Sequence, residues 1–259
     1  MRADGVLKAG IVLGLIPILT GCQFGGDLFT AKFERSEELT APLGQANAID
    51  VDTNVGKIHL EAANVDEVRI LAAIRVKAGT EERAEELARD IRIVAQPNGQ
   101  TLAVKAVRPS GMDREQLSVG FTIAAPASLA VKARTNVGDI HVAGFTRGVD
   151  TETGVGKITV TDLRDSTQAH TNVGDIRIIY APDAPATLEV RATTNVGDID
   201  FTGPSEISAG VSAEANVGSI DTDRPLTVKG SMKKSIKGQF GDGRGRIELC
   251  TNVGSIDIR

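Results

Sequence analysis

The sequence predicts an all-β fold: a parallel β-helix, or β-solenoid, of coils about 18–23 residues long, preceded by a small β region carrying one helix. Three observations predict it. The string TNVGDI or a close variant occurs seven times, at Thr53–Ile58, Thr135–Ile140, Thr153–Ile158, Thr171–Ile176, Thr194–Ile199, Ala215–Ile220 and Thr251–Ile256. Apolar and polar residues alternate with period two around the copies, as in half-buried strands. An isoleucine follows each motif glycine by two positions: Ile58, Ile140, Ile158, Ile176, Ile199, Ile220 and Ile256.

The spacing makes this an array. From Gly138 the motif glycines are 18, 18, 23, 21 and 36 residues apart, the last interval equal to two coils or to one coil with a long excursion. A unit of this length cannot bury its apolar face alone, but stacked copies share one Ile/Val core. The corners fall at Asn54 and Gly56, Asn136 and Gly138, Gly154 and Gly156, Asn172 and Gly174, Asn195 and Gly197, Asn216 and Gly218, and Asn252 and Gly254. Three residues before each Asn position the side chains are small or apolar, hence inward; two before, six of seven are polar, hence outward. An amide ladder or a positive φ accounts for the asparagine, and the Gly154 replacement favours positive φ. A phosphate cradle does not fit, because each loop has one motif glycine and leads into a strand.

The remaining elements follow in chain order. Arg2, Lys8 and the apolar run Ala9–Leu19 precede Leu19-Thr20-Gly21-Cys22. The run is shorter than the roughly 20 residues of a membrane-spanning helix. LTGC resembles a bacterial lipobox, which implies a signal peptide at 1–21 and a diacylglycerol and a further acyl chain such as palmitate on Cys22. Two or three chains, at about 0.8 kcal/mol per buried methylene, anchor a protein durably. Residues 22–40 read as a lipidated tether, and Gln23 leans towards the outer membrane. Residues 41–130 read as the N-terminal β region. In it Thr80 is an N-cap, Glu81 and Glu82 suit a helix N-terminus, and Ala84, Leu87 and Ala88 form an apolar stripe, giving a helix over about 81–90. Pro97-Asn98-Gly99 marks a hairpin turn. Residues 131–259 are the repeats.

Candidate sites are few. The outward column one past the isoleucine holds His59, His141, Thr159, Arg177, Asp200, Asp221 and Asp257. Asp200 and Asp221 would hold calcium if adjacent, whereas a solvated face is the simpler account. His59 and His141 share that column, but two histidines lack a third ligand, so no metal or cofactor is assigned. Val228–Arg246 concentrates Lys229, Lys233, Lys234, Lys237, Arg244 and Arg246 in a chain of net charge −5, a candidate patch for anionic headgroups or acidic glycans. Cys250 lies in an outward column and is expected to be an accessible thiol. The terminal SIDIR strand is expected to leave an open edge for an edge-to-edge homodimer.

The TNVGDI copies, GFTIAAPASLAVKARTNVGDIHV and the final GRGRIELCTNVGSIDIR resemble the bacterial β-strand-repeat family of "putative adhesins", a domain family of unknown function. The resemblance covers about Ile49 to Arg259 and implies a β-rich N-terminal part, repeated coils, export and no catalytic residues to carry over. The net charge gives no reason to expect nucleic-acid binding. The expected function is a non-enzymatic, lipid-anchored envelope protein, an adhesin or interaction scaffold binding an envelope protein or glycan. The alternatives are a periplasmic stress or signalling accessory and, less in keeping with one Tyr and no Trp, a polysaccharide-active β-helix enzyme.

Overall fold

Period-two alternation becomes strands in which every second side chain is buried. The computed structural model describes residues 31–108, 117–232 and 234–259. The predicted signal peptide, Cys22 and Lys233 lie outside the described residues. The N-terminal elements are β1 (Ala31–Pro42), β2 (Ala48–Val55), β3 (Ile58–Ala62), β4 (Glu67–Ala78), α1 (Glu81–Asp90), β5 (Arg92–Asn98), β6 (Thr101–Val107) and β7 (Leu117–Ala125). Strand pairs then follow: β8 (Ala130–Val137) and β9 (Ile140–Ala143), β10 (Val149–Val155) and β11 (Ile158–Leu163), β12 (Thr167–Val173) and β13 (Ile176–Tyr180), β14 (Glu189–Val196) and β15 (Ile199–Thr202), and β16 (Ala209–Val217) and β17 (Ile220–Thr222). A hairpin of β18 (Thr227–Met232) and β19 (Ser235–Phe240) precedes the last pair, β20 (Gly245–Val253) and β21 (Ile256–Ile258).

The fold is all-β with two large sheets and, among the described residues, one helix. The first sheet has ten strands in the order β1-β4-β7-β3-β9-β11-β13-β15-β21-β17. The second has eleven, in the order β18-β19-β16-β20-β14-β12-β10-β8-β2-β6-β5. At each motif copy the chain leaves the second sheet and enters the first, so a motif and its two flanking strands form one rung. Rungs stack in parallel register, each motif residue pairing with the next in the series Thr53, Thr135, Thr153, Thr171, Thr194, Thr251 and Ala215. The motif isoleucines are fully buried except Ile220, which is partly exposed because β17 ends its sheet.

Several expectations change. Residues 31–40, assigned to the tether, belong to β1, which pairs antiparallel with β4 over its whole length because its alternate side chains turn towards the core. The N-terminal region does not stand apart from the repeats. Its own motif copy forms a rung, with β2 beside β8 and β3 beside β9. The 36-residue interval is one rung plus a hairpin. Since β19 occupies the outer side of β16, β20 enters between β14 and β16, and β21 lies between β15 and β17. The SIDIR strand is therefore interior, and the open edge expected there does not exist.

The helix sits where expected. Thr80 accepts from the Arg83 amide, Glu81 and Glu82 occupy the first turn, and Ala84, Leu87 and Ala88 are buried. It packs on β1 and β4. Arg35 of β1 donates to the carbonyls of Ala88 and Ile91, satisfying the helix C-terminus.

Candidate functional surfaces

The corner edge repeats one set of interactions. Each motif glycine has φ between 146° and 153°. A Cβ there would overlap a main-chain carbonyl of the neighbouring strand, Gly156 O in the case of Gly174. Only glycine combines that backbone with that approach. The motif threonine turns inward, and its hydroxyl donates to the same kind of carbonyl: Thr171 to Gly156 at 3.2 Å, Thr194 to Gly174 at 3.0 Å and Thr251 to Gly197 at 2.9 Å. The asparagines form the amide ladder. Asn136 donates to Asn54 at 2.6 Å, Asn195 to Asn172 at 3.2 Å, Asn252 to Asn195 at 3.0 Å and Asn216 to Asn252 at 2.8 Å. The positive-φ reading of these asparagines is incorrect; among the described residues Asp162 is the one non-glycine with positive φ. Gly154, which carries no amide, interrupts the ladder; a Cβ added there would sit 2.6 Å from Asn136 O.

The motif valine is the unexpected residue. Val137, Val155, Val173, Val196, Val253 and Val217 are 47–58% exposed and aligned in register. At about 4.8 Å per strand they form an apolar ridge about 24 Å long. Where Gly154 leaves the gap, a cleft of about 480 Å³ opens beside the ridge, lined by charges of both signs including Asp52, Glu152, Lys105 and Arg134. Arg134 is held there by Asp50 at 3.1 Å and Asp52 at 3.4 Å.

The outward row of the first sheet differs from rung to rung. Register places His59 directly beside His141, with ring centroids 4.6 Å apart and planes 10° apart. Glu61 lies two residues beyond His59 on the same face, its Oε1 2.8 Å from His59 Nε2. Burial, then the neighbouring His59, lowers the pKa of the His141 imidazole against the opposing pull of Glu61. Further along, Asp200 and Asp221 are not neighbours, because β21 places Asp257 between them. Arg177 pairs with Asp200 at 2.8 Å.

The model of the Toastrack DUF4097 family matches residues 34–259. This chain belongs to that family. Among solved structures, a "putative cell adhesion protein" from Clostridium sporogenes aligns at 15% identity and TM-score 0.54, covering 87% of this chain and 99% of that one. A "putative adhesin" from Bacteroides fragilis aligns at 17% identity and TM-score 0.47, covering 87% and 97%. At 15% identity the Clostridium sporogenes likeness speaks to fold alone. No curated protein matches the chain.

The other predicted sites of this Toastrack chain fall as follows. Of the basic stretch, Lys229 lies on β18, Lys234 at the hairpin turn and Lys237 on β19, the last two exposed. Arg244 pairs with Asp242 at 2.8 Å and Arg246 with Glu248 at 3.1 Å, so acidic neighbours offset two of the cations. Cys250 is outward and partly exposed; burial, then Glu214, raises its thiol pKa. Sequence reasoning missed the valine ridge, the buried threonine column and Glu61. The first two were visible as near-constant motif positions. Glu61 required knowing that β3 and β9 are neighbours.

Proposed function

We propose that the chain is a non-enzymatic, lipid-anchored protein of the bacterial envelope, an adhesin or interaction scaffold whose corner edge is the contact surface for a protein partner. In this reading the two sheets form a β-solenoid whose coils serve as rigid spacers, and Cys22 carries the anchor. The observation that carries the proposal is the valine ridge. Six aligned apolar side chains are 47–58% exposed, more than any other large apolar side chain among the described residues. A continuous exposed apolar strip rimmed by polar groups is the character of a protein-contact surface. The flanking asparagine amides and cleft charges would supply its polar rim.

The test is photo-crosslinking in intact cells, with the crosslinking residue at Val173 on the ridge or at Gln168 on the exposed face of β12. The proposal expects discrete adducts from position 173 that disappear in the V155T/V196T background, and none from 168. Equal labelling at both positions, or none at 173, overturns it.

A further inference from the structure

We propose that His59, Glu61 and His141 form a surface binding site for a divalent transition-metal ion of the zinc type. Two strands distant in sequence meet in register and put both imidazoles in one row, and period two brings Glu61 to the same face. One ligand atom from each residue can be chosen so that all lie within 4.8 Å of one another. Among the described residues this is the one group of three His, Cys, Asp or Glu side chains that meets that condition. Bonds of 2.0–2.2 Å in a tetrahedral site require ligand atoms about 3.4 Å apart. Occupation would therefore draw the ligand atoms closer, with Glu61 exchanging its hydrogen bond to His59 for a bond to the ion.

The surroundings favour occupation. Thr122 and Thr159 flank the histidine pair in its row, and Ala124 and Ala143 flank Glu61. Small neighbours leave room for the ion, and no lysine or arginine stands at these positions to neutralise Glu61. Two imidazoles and one carboxylate suit zinc, cobalt, nickel or copper; calcium and magnesium take oxygen ligands. The ligands sit on paired strands, which lowers the cost of organising the site. His59 and His141 are partly exposed and Glu61 is exposed, so the three side chains are open to solvent. Such a three-ligand site can hold the ion while leaving a position for water or a donor from another molecule.

The test uses the full-length chain without a histidine tag, stripped of metal. Zn²⁺ binding is followed by calorimetry and Co²⁺ by visible absorption, with circular dichroism confirming that each variant is folded. The proposal expects one saturable ion per chain and tetrahedral cobalt bands. His59→Ala, His141→Ala and Glu61→Gln should each weaken binding at least about tenfold. His170→Ala, whose side chain belongs to the second sheet, should leave affinity unchanged. Zinc should also raise the melting temperature of the parent chain and of His170→Ala, but not that of His141→Ala. Absence of one-to-one binding, or equal affinity in His59→Ala and the parent, overturns the proposal.

Discussion

The corner edge and the outward row of the first sheet are built from the same rungs, yet they use sequence in opposite ways. Along the corner, nearly every rung contributes Thr, Asn, Val and Gly, and three of these make an identical contact to the next rung. Along the outward row, one residue past each isoleucine, the side chain changes from His to Thr to Arg to Asp. Repetition marks positions whose neighbours are other copies of themselves. Variation marks positions that the stack leaves free. The valine belongs to the first group by sequence and to the second by exposure, and that mismatch makes it the strongest indication of a contact surface.

The comparison can be broken at each column. The largest effect is expected from Gly174→Ala, which combines a backbone open only to glycine with overlap on Gly156 O. Denaturant unfolding should show a loss of about 3 kcal/mol or more; a loss near zero would remove the close-approach account. Thr171→Val keeps the side-chain shape but withdraws the donor from Gly156 O, and should cost about 1–2 kcal/mol in the same measurement. Tyr180→Phe sharpens the picture from the core, where the Tyr180 hydroxyl is buried without a hydrogen-bond partner among the described residues. This substitution should be neutral or stabilise by about 1 kcal/mol. Asn195→Ala cuts the exposed amide ladder between Asn172 and Asn252 and should cost about 0.5–1 kcal/mol. The smallest effect is kinetic. Because burial and Glu214 raise the Cys250 pKa, less thiolate is present at neutral pH, and maleimide labelling should lag behind a free cysteine until the pH rises. Glu214→Gln removes the smaller cause and should speed labelling slightly.

Much of this was legible in the sequence for a physical reason. Burial at period two and the strict Gly-x-Ile spacing are local properties, so the strands flanking the motifs, α1, the inward columns and the isoleucine core could be read without a structure. The order of rungs could not. Motif similarity makes every slot in the stack chemically equivalent, so nothing local says that β20 enters between β14 and β16. That single insertion moved SIDIR from an edge to the interior and separated Asp200 from Asp221. For the same reason the third partner of His59 and His141 was invisible, although Glu61 is only two residues from His59. The asparagine was misread because Gly154 suggested a backbone requirement. At Gly154 the structure shows no positive φ, only a close carbonyl, Asn136 O.

The central claim is that the corner valines do not hold the fold together. Its most direct test is the unfolding free energy of V155T/V173T/V196T, which keeps shape and β-branching while removing the apolar ridge. The account predicts a total change within about 1 kcal/mol, as for exposed strand positions. A loss of about 3 kcal/mol or more would place these valines in the packing of the stack and contradict it.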